Sequence, residues 1–108
     1  MVTRVWRCGI VPDRADELVD WIGENSWPSV RLAPGFEGGA LYLPMDRKDK
    51  IVTVSHWADR ESIASYAGSD WQTTPIVYEY ERQFMTSEAS VEHFDRVQVI
   101  PRPGADGS

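Results

Sequence analysis

Prolines and glycines cut this chain into short segments, and the hydrophobic period changes from one segment to the next. That order constrains the fold more than any single residue does. Residues 2–11 (VTRVWRCGIV) are rich in strand-favouring side chains and stop at Pro12, which predicts a strand. Asp13 then reads as an N-cap, and Ala15, Leu18, Val19 and Ile22 fall on one helical face. The residue before a proline avoids helical geometry, so this helix is expected to stop before Pro28, with an irregular turn over 29–33. Pro34-Gly35 marks a turn, and Phe36–Leu43 and Ile51–Trp57 read as a hairpin joined by the polar stretch 44–50. Asp59 caps a short helix carrying Ile63, Ala64, Tyr66 and Ala67. Gly68-Ser69-Asp70 breaks it and re-caps a second helical piece with Trp71. Residues 76–85 fit helix or irregular structure, and Glu88–Ile100 reads as the last strand.

The resulting β-α-β-β-α-β order predicts an α+β fold: a ferredoxin-like antiparallel sheet with its helices on one face. With 108 residues, one domain over 1–100 is expected, followed by a Pro- and Gly-rich tail, 101–108, that lacks the apolar content to pack. The sheet face away from the helices carries Val, Leu, Ile and Trp. A bare apolar face of that size is unusual on a monomer, so a homodimer with sheets packed face to face is expected.

Seventeen acidic against eleven basic side chains leave a net charge of −6. Such a surface repels nucleic-acid phosphates, which excludes a nucleic-acid partner. No apolar run approaches the ~20 residues that span a bilayer, so no membrane partner is expected. The single Cys8 cannot form an internal disulfide, which fits a reducing cytoplasm. Two histidines 37 positions apart, and no close Cys or His pair, give no metal-ligand spacing. The unusual number is five tryptophans among twelve aromatic residues. Aromatic side chains fill cores and also line pockets for flat ligands.

Three stretches together resemble the antibiotic biosynthesis monooxygenase (ABM) superfamily of dimeric α+β barrels. They are Pro34-Gly35-Phe36-Glu37-Gly38, then Val54-Ser55-His56-Trp57 with Asp59-Arg60-Glu61-Ser62, and Ser90-Val91-Glu92-His93-Phe94; the strand Arg4-Val5-Trp6 adds to them. The resemblance implies a pocket between sheet and helices in each subunit. In the quinone-forming branch it implies an oxygenase that uses O₂ with no metal or flavin, on a flat phenolic or polyketide-like substrate. A second branch binds and degrades haem with an Asn on the first strand and a Trp and a His on the second helix. Here the first strand has no Asn, Tyr66 stands at the spacing of that Trp, and an apolar residue near Ile76 stands at that of the His. Thr53 or its neighbour replaces the Asn that precedes the strand Trp in the quinone-forming branch. Neither catalytic set is carried over intact. The resemblance implies no cofactor, with O₂ as co-substrate, and the family's ligand pattern does not support haem. The alternatives are a haem-binding or haem-degrading relative, or a non-catalytic dimeric accessory protein that binds a small molecule.

Strand alternation puts Thr53, Ser55 and Trp57 on one face and Val54 and His56 on the other. The resemblance turns the Trp57 face toward the pocket and His56 toward the dimer. His93 titrates near neutrality and is the candidate base, with Asp95 on the same face to orient it. Arg4 is the candidate anion stabiliser. Trp6, Tyr42, Thr53, Ser55, Trp57, Tyr66 and Trp71 are the candidate substrate contacts, and Tyr78 is a further candidate wall. Trp21 and Trp27 are expected outside the pocket. Cys8 reads as a small core residue.

Overall fold

The structure is a computed structural model, and it describes residues 1–104. Strands β1 (Val2–Gly9), β2 (Phe36–Tyr42), β3 (Lys50–Trp57) and β4 (Ser90–Asp95) form one antiparallel sheet in the order β2-β3-β1-β4. This is the ferredoxin-like arrangement expected from the element order. Burial alternates along β1: Val2, Arg4, Trp6 and Cys8 are buried, while Thr3, Val5, Arg7 and Gly9 are not. The pairs Arg4–Ser55 and Trp6–Thr53, and on the other side Arg4–His93 and Trp6–Val91, share that inner face. Val5, Val52, Val54 and Ala40 are half-buried on the outer face, with Tyr42 and Phe94 exposed.

The first helical stretch departs from expectation at both ends. Pro12 opens a 3₁₀ turn, Pro12–Arg14, whose N-cap is Val11 with no side-chain cap, so Asp13 caps nothing. Pro is well placed there because its missing N–H would have no helical partner anyway. At the other end the helix does not stop before Pro28. Helix α1 (Ala15–Trp21) widens into a π turn (Ile22–Ser26) and continues as α2 (Trp27–Arg31), with Pro28 in its first turn. The Trp27 N–H reaches back five residues to the Ile22 carbonyl. A π turn enlarges the hydrogen-bonded ring and admits a residue that cannot donate. The consequence is positional, because Trp27 swings over the sheet, where its ring lies 3.0 Å from where a Cβ on Gly39 would stand. Gly39 thus makes room for that ring.

Asp59 caps α3 (Arg60–Ala67) as expected, accepting from the Ser62 N–H at 2.8 Å and from its hydroxyl at 2.7 Å. These bonds hold the Asp59 carboxyl below its ordinary range. Trp71 lies in turns rather than in a second helical piece. Its N–H bonds to the Gly68 carbonyl, and Asp70 accepts from Thr73 and Thr74 without the ladder growing into a helix. Residues 79–84 close the ambiguous stretch as a 3₁₀ helix. Strand β4 ends at Asp95, short of Ile100, because its neighbour β1 begins at Val2, whose partner is Asp95. Of the tail, residues 101–104 have no regular element, and 105–108 lie outside the described residues.

Two apolar clusters sit between sheet and helices. Trp6, Cys8, Ile10, Leu18, Ile22, Ile51 and Phe84 form the first. Val2, Val30, Trp57, Ile63 and Trp71 form the second. Burial pushes the Cys8 thiol up to about 11, which makes it an inert core residue.

Candidate active site

A cavity of about 80 Å³ lies between the sheet and the helices. Arg4, Trp6, Thr53 and Ser55 form its sheet wall, and Ile22, Ser26, Trp27 and Val30 its helical wall. Tyr66, Ile76, Tyr78 and Glu81 complete it. Among the expected site residues, the fold brings Arg4, Trp6, Thr53, Ser55 and Tyr66 together here, along with Tyr78.

Four others lie elsewhere. Tyr42 is 55% exposed at the sheet edge, in register with Val52 on the outer face. Trp57 is fully buried beneath the site against Phe36 and Tyr66, and its indole N–H donates to Ser55 Oγ at 2.9 Å. Trp71 belongs to the second cluster and offers its backbone carbonyl to Arg4 at 2.7 Å. His93 stands behind Arg4 rather than in the cavity, edge-on to Trp71 with ring centroids 4.7 Å apart. Arg4 Nη1 and His93 Nε2 are 2.9 Å apart. A guanidinium donates and does not accept, so Nε2 is the acceptor and the ring proton sits on Nδ1. Burial first, and the Arg4 charge second, keep the imidazole below its ordinary range. The lone pair that a base would use is therefore committed to Arg4, and Arg4, not Asp95, is the hydrogen-bonding partner of the ring. His93 holds Arg4 in place.

Of the cavity residues that escaped the sequence reading, two bear on its chemistry. Trp27 is one, brought in by the π turn. Glu81 is the other: 4% exposed, its Oε1 accepting the Tyr78 N–H at 2.8 Å. Burial pushes its carboxyl above the ordinary range, and the backbone N–H opposes this more weakly. A buried carboxyl raised above its ordinary range on a cavity wall is a candidate acid–base group. Nearby Tyr66 is pushed up to about 12, chiefly by burial and then by Tyr78, so it keeps its proton and is a donor.

Neither histidine is placed to ligate haem in this cavity. His93 Nε2 is occupied by Arg4, and His56 is on the outer face with its Nδ1 2.9 Å from Thr3 Oγ1. Among the described residues no group of three or more His, Cys, Asp and Glu side chains could hold a metal ion, and no helix is long and apolar enough to cross a membrane.

The architecture defines a class: ferredoxin-like α+β domains with a small aromatic cavity between sheet and helices, furnished with one cation and one buried carboxyl. The chain belongs to the antibiotic biosynthesis monooxygenase family, whose model matches residues 1–74. Solved structures with the same fold include a mutant of SnoaB, a cofactor-independent oxygenase from Streptomyces nogalater, at 18% identity and a TM-score of 0.64 over 93% of this chain and 96% of that one. The ActVA-Orf6 monooxygenase of Streptomyces coelicolor, in complex with nanaomycin D, matches at 15% identity and 0.67 over 93% and 91%. Rv0793 from Mycobacterium tuberculosis matches at 18% and 0.66 over 93% and 98%. No curated protein matches the sequence significantly.

Proposed function

We propose that this protein is a monooxygenase that needs no cofactor and oxidises a small, flat, electron-rich aromatic substrate in the Arg4–Glu81 cavity. The observation that carries the reading is Glu81, a buried carboxyl tuned upward on the aromatic cavity of a monooxygenase-family fold. The SnoaB and ActVA-Orf6 likenesses support it at the level of fold. Glu81 takes the acidic proton of a phenol or a ring CH₂, and the electron pair left behind spreads into the ring system and its oxygen. That electron-rich anion reacts with O₂, and the balanced outcome at a ring CH₂ is R₂CH₂ + O₂ → R₂C=O + H₂O. The chain's own tasks are to accept the proton, stabilise the anion beside Arg4 and exclude water. A cavity of about 80 Å³ is smaller than the ~300–1,000 Å³ of ordinary ligand pockets, so a polycyclic substrate enters by displacing a wall.

Oxygen uptake tests the reading. Purified protein treated with chelator should consume O₂ with anthrones or naphthols, and form the quinone in equal amount. An absence of uptake across such a panel, with tight binding retained, would identify a non-catalytic binding protein instead.

The same reading includes a homodimer, seated on the outer face of Val5, Val52, Val54 and Ala40 with Tyr42 and Phe94 at its edges. Val54→Asp puts a charge in the middle of that face and is expected to shift the species in sedimentation from dimer to monomer. A wild-type protein that sediments as a monomer would sink the dimer. A cytoplasmic location suits the free, buried Cys8.

A further inference from the structure

Among the described residues, two donors in the cavity wall find no acceptor. Arg4 is 5% exposed and Trp6 is 8% exposed, and both line the cavity. Arg4 spends Nη1 on the Trp71 carbonyl and on His93 Nε2, both uncharged. Among the described residues its Nη2 has no partner, and neither does Trp6 Nε1. Buried donors are almost always satisfied, so two orphans on one small cavity need a common explanation. They stand two positions apart on β1, so their side chains leave the same face of the sheet about 7 Å apart at the backbone. Among the described residues, no carboxylate forms a salt bridge to Arg4; the acid that shares its cavity, Glu81, bonds instead to the Tyr78 N–H. A guanidinium keeps its charge at any physiological pH, and a buried charge without a counter-ion is costly.

We propose that the cavity is a carboxylate site, in which a small aromatic acid places one carboxylate on Arg4 Nη2 and Trp6 Nε1. Two acceptor oxygens answer two donors, and the formal negative charge answers Arg4. A phenol offers one oxygen and arrives uncharged at neutral pH, whereas a carboxylic acid arrives ionised. His93 is the positioning residue: by accepting at Nη1 it leaves Nη2 free for the ligand. The substrate class that follows is an electron-rich aromatic bearing a carboxylate, with the ring among Trp27, Tyr66 and Tyr78. This rests on the cavity being the substrate site, but not on any oxygen chemistry.

Binding without turnover separates the two. Under nitrogen, the full chain is titrated by calorimetry with benzoate, methyl benzoate and phenol. Benzoate should bind about tenfold or more tighter than its ester or phenol, a difference of one charged contact pair. Arg4→Met should erase that preference, and Trp6→Phe, which removes the N–H while keeping an aromatic ring, should weaken benzoate by a larger factor than the ester. Equal affinities for benzoate and methyl benzoate in the wild-type protein, or tighter binding of phenol, would overturn the proposal. Should Arg4→Met fail to fold, the ester comparison and Trp6→Phe still decide it. Benzoate preference in a protein that consumes no O₂ would keep the carboxylate site and remove the oxygenase.

Discussion

Glu81→Gln is expected to lower turnover about 10²–10⁴-fold, the range a positioned general base contributes, while the protein stays folded. Gln keeps the carbonyl-type oxygen that accepts the Tyr78 N–H, so the local 3₁₀ helix retains its bond. What it removes is the ionisable site. The pH dependence has a definite sign. Burial raises the folded-state value of Glu81 above its unfolded value, so the stability linked to its neutral form is fully present below the unfolded value and lost as pH rises through the folded one. Above that folded-state value the wild-type protein carries the cost of an ionised buried carboxylate, so its melting temperature should fall as pH rises, and Glu81→Gln should not share that fall. Catalysis runs the other way. A base works when deprotonated, so wild-type kcat/KM should rise with pH across a limb lying above the ordinary carboxylate range, and Glu81→Gln should lose that limb. Unchanged turnover with an unchanged pH profile would remove Glu81 from the reaction. His93→Gln makes the contrast: its side-chain oxygen can still accept from Arg4, so it should retain most of the activity that His93→Ala loses.

The difference between these two residues shows which parts of the site could be read from the chain. Strand parity pairs Arg4 with Trp6 and Thr53 with Ser55, because a period of two is local, and the β1–β3 register then joins the two pairs on one face. The Asp59 cap and the β2–β3 hairpin were equally legible, each resting on short-range chemistry. Parity cannot say which end of a strand lies beside a cavity, and so Trp57 was on the right face and in the wrong place. His93 also shares the inner face, but the neighbour that captured its lone pair comes from a strand 89 residues away in sequence. Trp27 was misplaced because Pro28 locally disfavours helix, and the π turn that accommodates it is a bargain struck with tertiary packing. Glu81 lay in a stretch with no dominant period. Its burial is decided by the segment's closure over the first apolar cluster, where Phe84 is fully buried. What stayed hidden was which polar groups the packing would orphan or bury.

Trp57→Ala should be the most destabilising single substitution considered, costing about 3–5 kcal/mol. Trp57 is fully buried, with Phe36 edge-on at 5.5 Å between ring centroids and Tyr66 at 5.3 Å. Removing the indole leaves a cavity that backbone on both sides prevents from collapsing, because Trp57 is paired with Val2 on β1 and Phe36 on β2. It also strands Ser55 Oγ, which loses the indole N–H as donor. For a domain of about 100 residues each kcal/mol shifts Tm by roughly 4–8 °C, so thermal unfolding should move down by more than about 12 °C. Protein concentration must be matched between variants, since a dimer would make Tm concentration-dependent. Trp57→Phe keeps an aromatic ring in place and should cost far less, with benzoate binding close to wild type because Trp57 does not line the cavity. The pair separates core from wall. If Trp57→Phe kept its Tm but lost binding, the ring would be a substrate contact; if Trp57→Ala cost less than about 1 kcal/mol, the second apolar cluster would not depend on it.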